Sequence, residues 1–241
     1  MKIEGRNSVS EAINAGTTID RLVVSKELKD AGANRIIAAA KSRGIKIQFM
    51  EPAALDRESA GGRHQGFIAD ITDFKYCSVD DILEYARGKG EPPFLVILDG
   101  VEDPHNLGSV LRVTECGGVH GVIIPERRSV NVNETVIRVS AGAAAYMRVA
   151  RVTNINDTVR YLKERNVFVF AADAAGESVY KANLKGALAI VIGGEASGVK
   201  KLTRELCDGV VSLPMFGQVN SLNASVACGA VIYEAVRQRT E

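Results

Sequence analysis

The stretch "ILDGVEDPHNLGSVLRVTECGG", residues 97–118, changes character halfway along. It opens as an apolar strand, and from Pro104 it takes on the period of a helix. Leu107, Val110, Leu111 and Thr114 stand at i, i+3, i+4 and i+7, the spacing of a core-facing stripe. Proline suits a first helical turn and asparagine can satisfy the free N–H groups there, so Pro104 and Asn106 mark the predicted start. Arg112 is the odd residue. It shares its face with Gly108 and Ser109, so the helix surface beside it is cleared of bulk. The plain structural account has Asn106 capping the helix and Arg112 pairing at the surface with Glu115 at i+3.

The pattern repeats from Phe94 onward. "FLVILDG", "GVIIP", "VFVFAADA", "ALAIVIGG" and "GVVSLPM" are short runs rich in apolar residues, separated by helical stretches such as "NETVIRVSAGAAAY" and "INDTVRYLKERN". Strands without polar alternation, spaced by helices, predict a parallel sheet covered on both faces. Upstream, residues 1–73 alternate short helices and strands. "NSVSEAINAG" carries a capping box, Ser8 with Glu11, and a stop at Gly16. "DRLVVS" and "IKIQFM" read as strands around a helix over roughly 33–43, and "GGRHQGFIADI" as a glycine-rich loop entering another strand. Residues 74–92 hold a short amphipathic helix and end in Lys-Gly-Glu-Pro-Pro, which reads as a linker between a domain at 1–73 and one at 93–241.

Composition narrows the class without choosing a function. The 241 residues are 46% hydrophobic and 24% charged, as in an ordinary globular protein. No apolar run approaches the ~20 residues that span a bilayer, and the first residues lack a signal-peptide pattern, so the expected location is the cytoplasm. Cys77, Cys116, Cys207 and Cys228 form no CxxC pair and have no His at ligand spacing, which argues against zinc and against a disulfide framework, and for buried, reduced thiols. A net charge of +1 means that any nucleic acid must be bound by local patches.

In parallel sheets ligands bind at the carboxyl ends of strands, and three such ends are unusual. The first is the opening stretch. The second is "AIVIGGEASGVKKL", where Gly193, Gly194 and Gly198 surround Glu195. Glycines admit a close ligand, and a helix start offers N–H groups, although Glu195 also reads as a first-turn acid favoured by the helix dipole. The third is "SLPMFGQVNSLNASVACGAVIYEAVRQ". Here Asn220, Ser221, Leu222 and Asn223 open a helix whose first half, from Ala224 to Ala230, is almost all small. Asn220 or Ser221 serves as a cap, yet a cap alone leaves two asparagines and a serine within four residues unexplained.

In this order, "DPHNLGSVLRV", "IGGEASG" and "LPMFGQVNSLNASVA" resemble the three signature motifs of the SpoU (TrmH-like) RNA ribose 2′-O-methyltransferases of the SPOUT superfamily. "GRNSVSEAI" and "RHQGFIA" are similar to the RNA-binding domain preceding the catalytic domain in many members, and the arrangement most resembles RlmB-type enzymes acting on a guanosine of large-subunit (23S) rRNA. The resemblance implies an α/β fold: a small L30e-like domain and a SPOUT α/β-knot domain with a mainly parallel sheet and a deep trefoil knot. It implies S-adenosylmethionine (AdoMet) as methyl donor, held largely by backbone groups at Gly193, Gly194, Leu213, Met215 and Leu222. It also implies a polar set of Asn106, Arg112, Glu195, Ser221 and Asn223 around the acceptor, a homodimer, and no metal. Because guanidinium stays protonated at ordinary pH, the expected role of Arg112 is to grip the target phosphate and stabilise the developing alkoxide. Arg6, Arg63, His64 and Gln65 are expected RNA contacts. Arg127, Arg128 and Arg138 read as backbone contacts or as solvated charges. His105 and His120 are expected to be structural. The rivals are a tRNA target, an antibiotic-resistance rRNA methyltransferase, a non-catalytic ribosome-assembly factor, and a nucleotide-dependent oxidoreductase, against which the missing GxGxxG counts.

Overall fold

The structure, a computed structural model, describes residues 2–15, 17–59, 61–71, 74–195, 198–219 and 221–241, and divides into units at 1–75 and 76–241. The first unit contains β1 (Lys2–Glu4), α1 (Arg6–Ala15), β2 (Ile19–Ser25), α2 (Ala31–Ser42), β3 (Ile47–Met50), α3 (Pro52–Glu58) and β4 (Phe67–Ile71). Its sheet runs β1-β4-β2-β3, with β4 antiparallel to β1 and β2, and β2 parallel to β3. Val9, Ile13, Leu22, Val24, Ala33 and Phe67 form the core under α1 and α2. The chain turns from β1 into α1 at Gly5, whose φ of 93° favours glycine. That turn starts the helix at Arg6, so Ser8 lies inside the first turn and the expected Ser8–Glu11 box does not cap it. Gly16, the expected stop, lies outside the described residues.

The second unit contains α4 (Val79–Gly88), β5 (Phe94–Asp99), α5 (Pro104–Cys116), β6 (Gly121–Pro125), α6 (Glu134–Val139), a 3-10 turn at Ala143–Ala145, β7 (Val149–Val152), α7 (Ile155–Lys163), β8 (Phe168–Ser178), β9 (Leu188–Gly193), α8 (Lys201–Leu206), β10 (Gly209–Ser212) and α9 (Ala224–Thr240). The sheet order is β10-β8-β9-β5-β6-β7, and every neighbouring pair is parallel. The mainly parallel α/β fold is therefore as expected. Parallel strands bring their carboxyl ends to one edge, so Asp99, Pro125 and Gly193 end on the same side.

Several local readings are corrected. The segment 74–92 is not a bare linker. Ile82 and Leu83 of α4 join the core formed with Leu95, Ile97, Ile123, Val169 and Val191, and Ser78 with Asp81 makes a capping box at the start of that helix. Asp103, rather than Asn106, caps α5 by accepting from the His105 N–H at 2.9 Å. β7 has no counterpart among the apolar runs, because "VARV" is four residues long, carries Arg151 and lies at the sheet edge. "NETVIRVSAGAAAY" is broken after α6, where Ala141 and Gly142 take φ of 50° and 95°. The cleared faces are partly filled within the chain: a Cβ at Gly108 would stand 2.7 Å from Val139 Cβ, and one at Gly229 would stand 3.2 Å from Val113 Cγ2. α5 thus packs between α6 and α9. All four cysteines are free, but only Cys228 is buried, with burial pushing its thiol up to about 12; Cys116 is exposed. Among the described residues no helix is long and apolar enough to cross a membrane.

His120 is structural. It is 2% exposed, its Nδ1 accepts from the Phe94 N–H at 3.0 Å, and its Nε2 lies 3.0 Å from Glu91 Oε2, a pattern that suits the neutral ring with its proton on Nε2. Burial pushes the imidazole pKa down, against the opposing pull of Glu91. The unfolded chain therefore binds a proton at His120 more readily, and this group's contribution to stability rises with pH and is lost as pH falls below about 6.5. Melting temperatures between pH 8 and pH 5 are expected to fall more steeply for the wild type than for His120→Gln; parallel slopes would assign the acid sensitivity elsewhere.

Candidate functional site

Three of the nominated polar residues meet at the carboxyl edge of the second sheet. Asn106, in the first turns of α5, is 5% exposed, and its Nδ2 donates to Glu195 Oε1 at 2.6 Å. Asn223 Nδ2 donates to the same oxygen at 2.8 Å and to Asn106 Oδ1 at 2.9 Å. The positions are 89 and 28 residues apart from Glu195 in the chain, and only the fold brings them together. Asn223 is also the N-cap of α9: its Oδ1 accepts from the Ser225 N–H at 2.9 Å, from Ser225 Oγ at 2.6 Å and from the Val226 N–H at 3.4 Å. One amide thus faces two ways, its oxygen toward the helix start and its nitrogen toward the carboxylate. Asn220 lies outside the described residues, and Ser221 is not the cap. Glu195 is not a first-turn acid either, since α8 starts only at Lys201.

Substitution at Asn223 separates these two duties. Asn223→Ala loses the cap, worth about 1 kcal/mol, whereas Asn223→Ser keeps a capping oxygen and loses both Nδ2 bonds. Asn223→Ser is expected to melt closer to the wild type than Asn223→Ala, yet both should slow turnover by ~10–100-fold, the scale of a hydrogen bond to a charged group. Turnover that tracks melting temperature instead would reduce Asn223 to a cap.

The loop carrying Glu195 is held by a residue that sequence reasoning passed over. Asp99, the last residue of β5, is 1% exposed. Its carboxylate pairs with Lys200 Nζ and accepts from the Lys200 N–H at 3.2 Å and from Thr203 Oγ1 at 3.0 Å. The Gly194 N–H donates to Asp99 O at 3.1 Å, and the Gly198 N–H donates to Gly194 O at 2.9 Å. The available signal was an acid closing a wholly apolar strand, a buried charge that needs partners.

Beside this network lies a cleft of about 260 Å³, and all five nominated cofactor residues line it: Gly193, Gly194, Leu213, Met215 and Leu222. Glu195 and Ser221 share the lining, as does Asp173, which sequence reasoning did not single out. The glycines leave backbone groups accessible, the leucines and methionine offer apolar faces to a flat ring, and the two acids offer acceptors. That combination fits a nucleoside with polar ends.

Arg112 stands apart. It is exposed, is absent from the cleft lining, and makes no hydrogen bond or ion pair among the described residues, so the expected pairing with Glu115 does not form. Six residues along a helix place it ~9 Å from Asn106 along the axis and on another face. Arg127 and Arg128 follow β6 at the carboxyl edge, Arg128 with φ of 56°, and Arg138 is exposed on α6.

In the first unit Arg6 forks onto Asp30, Nη1 to Oδ1 at 2.8 Å and Nη2 to Oδ2 at 2.5 Å, and this pairing holds the Asp30 carboxyl down to about 2. His64 Nε2 lies 2.8 Å from Asp56 Oδ1, and its Nδ1 accepts from the Gly66 N–H at 3.0 Å. Gln65, at φ of 49°, accepts from the Arg6 N–H at 3.2 Å. These three are tied to their own chain. Arg63 is exposed and unpaired among the described residues. Among those residues no group of three or more His, Cys, Asp or Glu is arranged to hold a metal ion.

Comparison with known proteins follows the same division. The SpoU rRNA Methylase family matches residues 93–233, and the RNA 2′-O ribose methyltransferase substrate-binding family matches residues 2–77. A Bacillus subtilis (strain 168) protein named as a TrmH family tRNA/rRNA methyltransferase, YacO, is 40% identical over 237 residues, 98% of this chain and 94% of its own. The SpoU methyltransferase AviRb from Streptomyces viridochromogenes, solved with the cofactor AdoMet, superposes with a TM-score of 0.63 at 25% identity, over 100% of this chain and 90% of its own. A TrmH/SpoU tRNA-modifying enzyme from A. aeolicus gives a TM-score of 0.58 at 25% identity, over 62% of this chain and 77% of its own.

Proposed function

We propose, from the premise that this chain belongs to the SpoU rRNA Methylase family, that it transfers a methyl group from AdoMet to the ribose 2′-hydroxyl of a guanosine in large-subunit (23S) rRNA. The observation that carries this reading is the Asn106–Glu195–Asn223 network set against a glycine-lined cleft. AdoMet supplies an electrophilic methyl on a sulfonium centre. Gly193, Gly194, Leu213, Met215 and Leu222 hold the nucleoside of the donor through backbone groups and apolar contact. Two donors fix Glu195 through Oε1 alone, which leaves Oε2 to accept from an incoming hydroxyl. Ser221, in the lining of the cleft, and Asn223 align that hydroxyl with the methyl, since transfer needs oxygen, carbon and sulfur in line.

Arg112 grips the phosphate next to the acceptor ribose and stabilises charge developing on the oxygen. Its separation from the cleft within one chain is met by a homodimer in which Arg112 of one protomer serves the cleft of the other. The exposed apolar residues support such an interface: Phe216 at 97%, Val219 at 71%, and Val226 with Tyr233, one heptad apart on α9, at 55% and 51%. Arg63 in the first unit and Arg127, Arg128 and Arg138 in the second contact the RNA backbone, with Arg6, His64 and Gln65 shaping the 61–66 loop in the first unit.

The substrate-binding match at 2–77 supports ribosomal RNA, because two solved relatives described as acting on tRNA cover only 62% and 61% of this chain. A tRNA target is the second reading, carried by the tRNA/rRNA description of YacO. The test is methyl transfer from labelled AdoMet to unmodified large-subunit rRNA, with a tRNA pool in parallel and the labelled nucleoside identified after digestion. Label on a guanosine ribose of the rRNA alone is the expected result. Label on tRNA alone would overturn the target, and AdoMet binding without transfer to either RNA would favour a non-catalytic assembly factor.

A further inference from the structure

Asp173 lies in β8 and lines the same cleft as Gly193, Leu213 and Leu222. It is held from both sides. The Ala175 N–H donates to its Oδ1 at 3.0 Å, and Arg204 Nη1, on α8, donates to its Oδ2 at 3.1 Å. Gly198 lines the same cleft, and a Cβ there would stand in van der Waals contact with Asp173 Oδ2, at 3.8 Å, so the missing side chain leaves that oxygen uncovered on this side. Each carboxylate oxygen accepts about two hydrogen bonds, so among the described residues each oxygen of Asp173 keeps one site open. Two adjacent open acceptor sites match the two O–H donors of a vicinal diol.

From this arrangement we infer that Asp173 is a cofactor-binding residue whose carboxylate accepts both hydroxyls of the ribose of the nucleoside methyl donor, an inference that rests on the methyl-donor reading above. The alternative donor on such a molecule is the α-ammonium of its methionine part. Arg204 argues against it: an ammonium on Asp173 would share the carboxylate with a guanidinium already 3.1 Å from Oδ2, and the two cations repel. Hydroxyls carry no charge and meet no such penalty. Arg204 is then a positioning residue, which fixes the carboxylate and neutralises it.

The test is isothermal titration of three ligands, S-adenosylhomocysteine, its 2′,3′-dideoxy analogue and 5′-methylthioadenosine, into the wild type and Asp173→Ala, with melting of the free proteins to confirm folding. Asp173→Ala is expected to weaken S-adenosylhomocysteine and 5′-methylthioadenosine by ~10–100-fold and to leave the dideoxy analogue within about twofold, because that analogue has no diol to lose. Equal losses for all three ligands would overturn the inference, as would unchanged affinity throughout. Loss for S-adenosylhomocysteine and its dideoxy analogue, but not for 5′-methylthioadenosine, would assign Asp173 to the ammonium instead. If Asp173→Ala does not fold, Asp173→Asn carries the same comparison. A folded wild type that binds none of the three would overturn the methyl-donor reading itself, whereas a binding wild type with indifferent Asp173 variants would overturn this inference alone.

Discussion

Arg112→Ala is expected to slow methyl transfer by ~10²–10³-fold, the effect of deleting one preorganised donor to a developing oxyanion, while S-adenosylhomocysteine affinity stays within about twofold. Both halves of the expectation come from position. Arg112 is exposed on α5 and outside the cleft lining, so its removal leaves the cofactor surface intact. Under the proposed function its charge meets only the RNA. Arg112→Lys keeps the charge but not the planar fork, and a fall of ~10-fold is expected if two phosphate oxygens are gripped together. Near-normal turnover of the lysine enzyme would leave a point charge in place of a fork. Mixing also locates the residue. If each site joins Arg112 of one protomer to the cleft of the other, a heterodimer of Arg112→Ala and Asn223→Ser chains carries both lesions in one site and none in the other. It should recover about half of wild-type activity, from two nearly inactive parents. Sites built within single chains would recover nothing.

How far this site could be read in advance depends on the kind of signal. Short apolar runs place β5, β6, β8, β9 and β10, because a buried parallel strand must be apolar on both faces. β7 escapes that logic, as an edge strand of four residues with Arg151 in it. Caps were the weakest readings. Around α5, Asp103 and Asn106 are both good capping types, and the choice between them is made by burial: Asn106 is drawn inward to Glu195, which leaves Asp103 at the end. At α9 a single residue does both, since Asn223 caps the helix and reaches Glu195. Motif order nominated Asn106, Glu195 and Asn223, but it could not show that one carboxylate oxygen would take donors from both asparagines. Asp99 and Asp173 stayed out of view for a different reason. An acid at or near the end of an apolar run looks like a turn residue until the basic side chain opposite it is known, and Lys200 and Arg204 arrive from more than thirty positions away.

Gly194→Ala is expected to damage the second unit through the addition of a single carbon. Gly194 follows the last residue of β9, and Gly100 follows the last of β5, its neighbour in the sheet, with Asp99 in register with Gly193. A Cβ at Gly194 would be driven into the Gly100 carbonyl oxygen, and one at Gly193 into the Gly198–Val199 backbone. Neither obstacle is a side chain that can rotate away. The strand ends must part, and the parting loosens the Gly194 N–H bond to Asp99 O. Overpacking of this kind costs ~1–3 kcal/mol, and at ~2–4 °C for each kcal/mol the melting temperature should fall by several degrees and up to ~12 °C. Function should fall further than stability. β5 leads to Asn106 and β9 leads to Glu195, so a gap between the strand ends opens their 2.6 Å hydrogen bond. S-adenosylhomocysteine affinity should weaken by at least ~10-fold even where the protein remains folded, on the scale of a lost charge-assisted bond. Gly88→Ala is the control, because nothing lies within 4 Å of a Cβ at that helix end. It should melt at or slightly above the wild type, since alanine favours the helix. If Gly194→Ala melts and binds as Gly88→Ala does, the two strand ends can separate at little cost, and the rigidity that here joins Asn106 to Glu195 would have to come from the asparagine–carboxylate contacts themselves.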